Sequence, residues 1–126
     1  MRVLLADGHP KVRHALRMFL AEEPELSIVG EVSGANTLLS EALALKPDLI
    51  LLEWELRGWP AGKLLSALRA LELPARIIVL SWRPETEEAA LAAGADGFLS
   101  KAEGPEQLLA ELRRLTHIKI AQGPQP

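Results

Sequence analysis

The fold is decided by one stretch of sequence, Pro47-Asp48-Leu49-Ile50-Leu51-Leu52-Glu53. Its four consecutive apolar residues, with a proline upstream and a carboxylate after them, predict a strand that is buried on both faces. Such a strand lies in the middle of a parallel sheet, and its last residue reaches the carboxyl edge. Ligands of open α/β sheets bind outside that edge. The pattern therefore makes Glu53 the first candidate functional residue.

The rest of the chain alternates between strand and helix patterns. Strands are predicted over residues 2–6, 26–32, 49–53, 75–81 and 96–101. Helices are predicted over residues 10–23, 85–93 and 104–115, and two more are marked by the leucines within 38–45 and 64–71. This alternation predicts a doubly wound α/β fold, in which a five-stranded parallel sheet carries helices on both faces. Residues 1–116 form one domain in this interpretation, and residues 117–126 form a tail or linker.

Composition narrows the class of protein. The chain has 126 residues, a formal net charge of −3 and no cysteine. We expect no disulfide framework and no cysteine-bound metal. The charge argues against a basic nucleic-acid-binding face, and no apolar run approaches the ~20 residues of a membrane span. These features favour a cytoplasmic globular protein that binds neither nucleic acid nor membrane by itself.

Polar side chains follow four of the predicted strands. Asp7 comes after the first strand, Glu53 ends the third, Ser81 ends the fourth and Lys101 follows the fifth. The ends of parallel strands meet at one edge of a sheet, so these side chains are expected to face one crevice. The alternative is that they serve only loop solubility and helix capping.

Four segments, in this order, carry a resemblance to a known family. The chain resembles a response regulator receiver domain of the CheY-like superfamily and the NarL/LuxR type, which precedes a helix-turn-helix domain. The resemblance covers about residues 2–115 and implies the flavodoxin-like strand order 2-1-3-4-5. The segments are Val3-Leu4-Leu5-Ala6-Asp7-Gly8-His9-Pro10, Pro47-Asp48-Leu49-Ile50-Leu51-Leu52-Glu53, Ile78-Val79-Leu80-Ser81 and Ala92-Ala93-Gly94-Ala95-Asp96-Gly97-Phe98-Leu99-Ser100-Lys101.

The resemblance implies roles for individual residues. Receivers accept a phosphoryl group from a histidine kinase onto an aspartate after the third strand, and Mg²⁺ is bound there by acidic residues. Asp7 matches the first acidic position of that pocket. Ser81 and Lys101 match the residues that bind phosphoryl oxygens, and Phe98 matches the aromatic switch residue.

Two positions depart from the family pattern. Gly8 replaces the second acidic residue, and Glu53 replaces the acceptor aspartate. Without the second acid, Asp7 and Glu53 are weak candidates for metal ligands, and we expect neither Mg²⁺ nor another cofactor. The longer Glu53 is expected to pair with Lys101 and to accept a hydrogen bond from Ser81, in partial imitation of a phosphorylated site.

Three tryptophans and two histidines need a separate interpretation. Trp82, directly after Ser81, is expected to act as a gate that restricts access of a phosphodonor to the pocket. Trp54 and Trp59 either border the crevice as well or simply pack over loop backbone. His9 is assigned to the turn and His14 to a solvated helix face, with no partner at metal-ligand spacing.

These observations favour an atypical receiver that is not an enzyme and no longer accepts a phosphoryl group. It would act through protein contacts with a histidine kinase or an effector domain, including transcription regulation through an effector outside these residues. A homodimer is expected through the segment that begins at Pro84 and ends at Leu115. One alternative is a receiver that is still phosphorylated and binds Mg²⁺ weakly. A small-ligand site in the modified crevice ranks last, because no glycine-rich phosphate loop is present.

Overall fold

The apolar runs form strands, and the leucine- and alanine-rich segments between them form helices. The computed structural model describes residues 1–116, so the expected tail at 117–126 lies outside the described residues. The strands are β1 (Arg2–Ala6), β2 (Ser27–Val32), β3 (Leu49–Glu53), β4 (Arg76–Ser81) and β5 (Gly97–Ser100). The helices are α1 (Pro10–Leu20), α2 (Ala35–Leu45), α3 (Ala61–Ala70), α4 (Glu87–Ala92) and α5 (Pro105–Thr116).

The five strands form one parallel sheet in the order β2-β1-β3-β4-β5, which confirms the predicted fold class and strand order. The central strand β3 pairs with β1 on one side and β4 on the other. In the register, Glu53 is opposite Leu80, and Ser81 is opposite Ser100. This register brings the ends of the strands to a common edge.

Alternate residues of the central strands pack against opposite helical layers. One layer consists of α2, α3 and α4, and its core includes Ile50 and Leu52 of β3. The other consists of α1 and α5, and its core includes Leu49 and Leu51 of the same strand. All five residues of β3 are buried, as its unbroken apolar run predicts.

Two helices are shorter than their sequence patterns suggest. Helix α1 ends at Leu20 and not at Glu23, because a residue that precedes a proline is disfavoured in helical geometry. Before α4, the segment Pro84–Thr86 forms a 3₁₀ turn. The backbone N–H and the hydroxyl of Thr86 both donate to the carbonyl of Arg83, at 3.0 and 2.7 Å, and hold this tighter turn. No helix among residues 1–116 has the length and apolar character needed to span a bilayer.

Candidate functional site

The carboxyl edge of the sheet brings together the four polar residues that the sequence singled out. Asp7 follows β1, Glu53 and Ser81 are the last residues of β3 and β4, and Lys101 follows β5. The backbone N–H of Lys101 donates to the carbonyl of Ser81 at 2.8 Å, which continues the pairing of the two strands beyond β5. Asp7, Glu53 and Ser81 are all buried.

An ion triad, which we define as Asp7, Glu53 and Lys101, lies at the centre of this edge. The Lys101 ammonium donates to Asp7 Oδ2 at 2.7 Å and to Glu53 Oε2 at 2.6 Å. Only 3%, 1% and 4% of the Asp7, Glu53 and Lys101 side chains, respectively, are exposed. The predicted ion pair between Glu53 and Lys101 is therefore present, and Asp7 shares the same cation. At this depth the charges are weakly screened by solvent, so losing one partner would be costly.

Backbone N–H groups bind the remaining oxygens of the Asp7 and Glu53 carboxylates. The backbone N–H of Gly8 donates to Glu53 Oε1 at 2.9 Å, and the backbone N–H of His9 donates to Asp7 Oδ1 at 2.8 Å. Every oxygen of the two carboxylates thus has at least one donor. The site is a closed set of charge-assisted hydrogen bonds.

The expected hydrogen bond from Ser81 to Glu53 is wrong. The Ser81 hydroxyl donates to Glu55 Oε2 at 2.8 Å, and the backbone N–H of Arg83 donates back to Ser81 Oγ at 3.0 Å. Glu53 Oε1 receives the Gly8 N–H and Oε2 receives the Lys101 ammonium, so both oxygens have a donor without Ser81. Glu55, two residues further along the loop after β3, supplies the acceptor.

The assignment of His9 to the turn alone is also wrong, because its ring joins the site. His9 Nδ1 lies 3.2 Å from Asp7 Oδ1 and 3.0 Å from Glu53 Oε2. A nitrogen between two carboxylates acts as the donor, so we assign the proton to Nδ1. The spacing of Asp7 and His9 indicates an aspartate that accepts the backbone N–H two residues on, which predicts the turn but not the position of the His9 ring. His14, in contrast, lies on the exposed face of α1, where its ring contacts Arg17 at 2.9 Å.

A metal ion could in principle be considered, because ligand atoms of Asp7, His9 and Glu53 lie within 4.8 Å of one another. Mg²⁺ requires near-octahedral oxygen coordination and gives up water reluctantly. Here one of the three ligand atoms is an imidazole nitrogen, Gly8 offers no side-chain oxygen, and the Lys101 ammonium bridges both carboxylates. This donor set does not fit Mg²⁺.

The aromatic residues near the edge have different surroundings. Trp54 is partly buried and packs against the core, and the Trp59 ring N–H donates to Asn36 Oδ1 at 2.9 Å, so both stabilise loop structure. The Trp82 side of the edge is open: the residue is 56% exposed, and its ring centroid lies 5.9 Å from the Lys101 ammonium. Phe98 is partly buried against the layer of α2, α3 and α4. The gate role of Trp82 and the switch role of Phe98 stay predictions.

Comparison with known proteins gives the family. The family model described as the response regulator receiver domain matches residues 3–113. The chain belongs to the response regulator receiver domain family. As a receiver, it is 37% identical over 114 residues to the nitrate/nitrite response regulator protein NarL of Escherichia coli K12, which covers 89% of this chain and 53% of NarL. The receiver thus spans about half the length of the curated relatives it matches.

Solved receivers have the same fold. The signal receiver domain of NarL from Mycobacterium tuberculosis superposes with a TM-score of 0.82 at 29% identity, covering 90% of this chain and 93% of that one. The response regulator domain of Thermotoga maritima CheB gives a TM-score of 0.82 at 23% identity, covering 94% and 98%, which is evidence of fold alone. The family and the similarity to NarL indicate a response regulator signalling domain.

Proposed function

We propose that this receiver does not accept a phosphoryl group and that it signals by protein–protein contact. The observation that carries the proposal is the position of Lys101 Nζ, 2.7 Å from Asp7 Oδ2 and 2.6 Å from Glu53 Oε2. The carboxylate at the acceptor position is held from both sides, because the Gly8 N–H binds its other oxygen at 2.9 Å.

Three physical reasons support the loss of phosphoryl acceptance. A carboxylate nucleophile must approach the phosphorus in line, and an error of about 1 Å can cost about a hundredfold in rate. Glu53 would have to leave both donors before it could attack. Charge neutralisation in phosphoryl transfer falls to Mg²⁺, for which the donor set around Asp7 is unsuited. We therefore propose that the receiver works without Mg²⁺ and without another cofactor.

The test is incubation of the purified chain with acetyl phosphate and Mg²⁺, followed by intact mass spectrometry. We expect the wild-type mass to stay unchanged. The matched control is the double variant Gly8→Asp/Glu53→Asp, which rebuilds the acidic pocket and is expected to gain the mass of one phosphoryl group. An adduct on the wild-type chain that hydroxylamine removes would overturn the proposal. It would support the alternative, a receiver that is still phosphorylated with weakly bound Mg²⁺.

We further propose that the partners are proteins, namely a histidine kinase, an effector domain and a second copy of this chain. The surface for the second copy is the one predicted from Pro84 to Leu115, and the exposed Leu91 on α4 supports it, being 45% accessible. Regulation of transcription would require an effector outside these residues, because the net charge of −3 does not favour nucleic-acid binding by the receiver itself. The cytoplasmic location expected from the sequence is part of the same proposal.

A further inference from the structure

A cavity of about 330 Å³ lies beside the ion triad. Its walls come from α1, from the ends of β4 and β5, and from the loop and first turns that begin α5. It is separate from the crevice between Asp7 and Glu53, since neither of these residues lines it. Pockets that bind small organic molecules measure about 300–1,000 Å³, so this one is large enough for a compact ligand.

The inner wall of the cavity is apolar and partly aromatic. Leu16 and Phe19 of α1 line it on one side, and Leu99 and Leu108 line it on the other. Trp82 forms part of the rim, where its exposed ring offers a flat apolar surface. An apolar pocket with an aromatic rim favours a ligand that carries a ring, because ring pairs are stabilised beyond the effect of buried area alone.

The rim is anchored by the ion triad, so the pocket is formed before any ligand arrives. Lys101 contributes to the wall, and its ammonium is fixed by Asp7 and Glu53 while it lies 5.9 Å from the centroid of the Trp82 ring. A cation near an aromatic face attracts the ring, which favours the observed position of Trp82. A preformed pocket lowers the entropic cost of binding.

The charges around the cavity select against an ionic ligand. Lys101 is neutralised by two carboxylates. Among the described residues, the other charged side chains of the rim are Lys11 and Glu103, which form no ion pair and have opposite signs. The electrostatic fields of Lys11 and Glu103 oppose each other. A ligand with a net charge would be attracted by one of these side chains and repelled by the other.

We propose that this cavity is a binding site for a small aromatic molecule without net charge. Its ring would lie between Phe19 and the face of Trp82, with the edge of the molecule at the polar rim. The inference does not depend on whether Glu53 accepts a phosphoryl group, because neither Asp7 nor Glu53 lines the cavity and only Lys101 and Trp82 belong to both places.

The experiment is a titration of the isotope-labelled chain with indole, followed by amide and tryptophan side-chain chemical shifts. We expect saturable shifts at the Trp82 ring N–H and along α1, with a Kd on the order of 1 mM or lower. Ala15 lines the cavity and is exposed, so Ala15→Trp places a ring where the ligand would lie and should weaken binding by at least about tenfold. Met18→Trp is the matched control, because Met18 is 58% exposed on the same helix and does not line the cavity. Its affinity for indole should stay within about twofold of the wild type.

Two further measurements test the role of the Trp82 ring and the preference for an uncharged ligand. Trp82→Ala removes one wall without adding bulk, and it should weaken indole binding while the amide spectrum stays that of a folded chain. Benzoate and benzylamine, which carry opposite charges on a similar ring, should both bind more weakly than indole. Absence of saturable shifts, equal affinity of Ala15→Trp and wild type, or tighter binding of either charged probe would overturn the proposal.

Discussion

One methylene group of Glu53 explains the arrangement of the site. Its longer side chain lets Oε2 reach the Lys101 ammonium while Oε1 reaches the backbone N–H of Gly8. An aspartate at the same position would be one carbon–carbon bond shorter and could not hold both donors without a backbone shift. Gly8 contributes its backbone N–H to Glu53 Oε1 and adds no third carboxylate beside the two that share Lys101. The two departures from the family pattern therefore act together.

Removal of the shared cation is the most direct test of the ion triad. Lys101→Met keeps most of the side-chain volume but leaves two buried carboxylates without their common partner. We expect the free energy of unfolding at neutral pH to fall by about 3–5 kcal/mol, as measured by urea denaturation. The control is Lys11→Met, which removes an exposed lysine and should change stability by less than about 0.5 kcal/mol. Equal stability of Lys101→Met and wild type would contradict a stabilising triad.

Rebuilding the acidic pocket should restore affinity for Mg²⁺. A side chain at position 8 meets only ordinary contacts, at 3.5 Å or more from its Cβ, so Gly8→Asp is sterically tolerated. The double variant Gly8→Asp/Glu53→Asp supplies three carboxylates and shortens the side chain that binds Lys101. We expect it to bind Mg²⁺ with a Kd in the millimolar range or lower, on the scale of weak Ca²⁺-binding modules. Isothermal titration calorimetry compares it with the wild type, for which no binding heat is expected. If the double variant also gives none, the missing acid is not what prevents metal binding.

The site shows which contacts a sequence can predict. Glu53 and Lys101 stand at the ends of strands whose order the pattern implies, so their ion pair follows from topology. The partner of Ser81 depends on the path of the loop after β3, and nothing in the spacing of residues fixes where Glu55 points. His9 was missed for a similar reason, because its ring position depends on a turn closed by the Asp7 carboxylate.

Among the elements, buried strands were the easiest to predict, and short helices were the hardest. Both β1 and β3 begin and end at the predicted residues, 2–6 and 49–53. The region of α4 has a single leucine among alanines and glutamates, and the Thr86 hydroxyl donates to the Arg83 carbonyl within the 3₁₀ turn that precedes the helix. A local hydrogen bond of this kind competes with helical pairing and is invisible to periodicity.

The contact between β2 and α2 provides a prediction at the same scale. A Cβ at Gly30 would lie 2.6 Å from Leu45 Cδ1 and 3.1 Å from Leu4 Cδ1, so the helix packs directly over the backbone of the strand. Gly30→Ala is expected to destabilise the chain by about 1–3 kcal/mol, because the overpacked side chains must move. Gly62→Ala is the control, since a Cβ in that helical position meets nothing within 4 Å and should stabilise by about 0.5–1 kcal/mol. Thermal unfolding measures both, and a stabilised Gly30→Ala would show that this packing is looser than the structure indicates.

At the scale of the whole molecule, the ion triad links distant parts of the chain. Asp7 and Lys101 are 94 residues apart, and Glu53 lies between them in sequence. Their three strands are not all adjacent, because β4 lies between β3 and β5. The triad therefore fastens the edge strand β5 to the centre of the sheet across the carboxyl edge. A signal that moves Lys101 would therefore also move the end of β5. This strand belongs to the surface that we propose for the second copy of the chain.

That surface can be tested with two leucines that differ in location but little in exposure. Leu91 on α4 is 45% exposed and lies within the proposed dimer surface, whereas Leu43 on α2 is 51% exposed and lies outside it. A glutamate in an interface must be desolvated without a partner, so Leu91→Glu is expected to weaken self-association by at least about tenfold. Leu43→Glu adds the same charge on another face and is expected to leave self-association unchanged. Sedimentation velocity over a range of concentrations measures both. A wild type that stays monomeric throughout, or an equal effect of the two variants, would remove the case for a dimer through α4, β5 and α5.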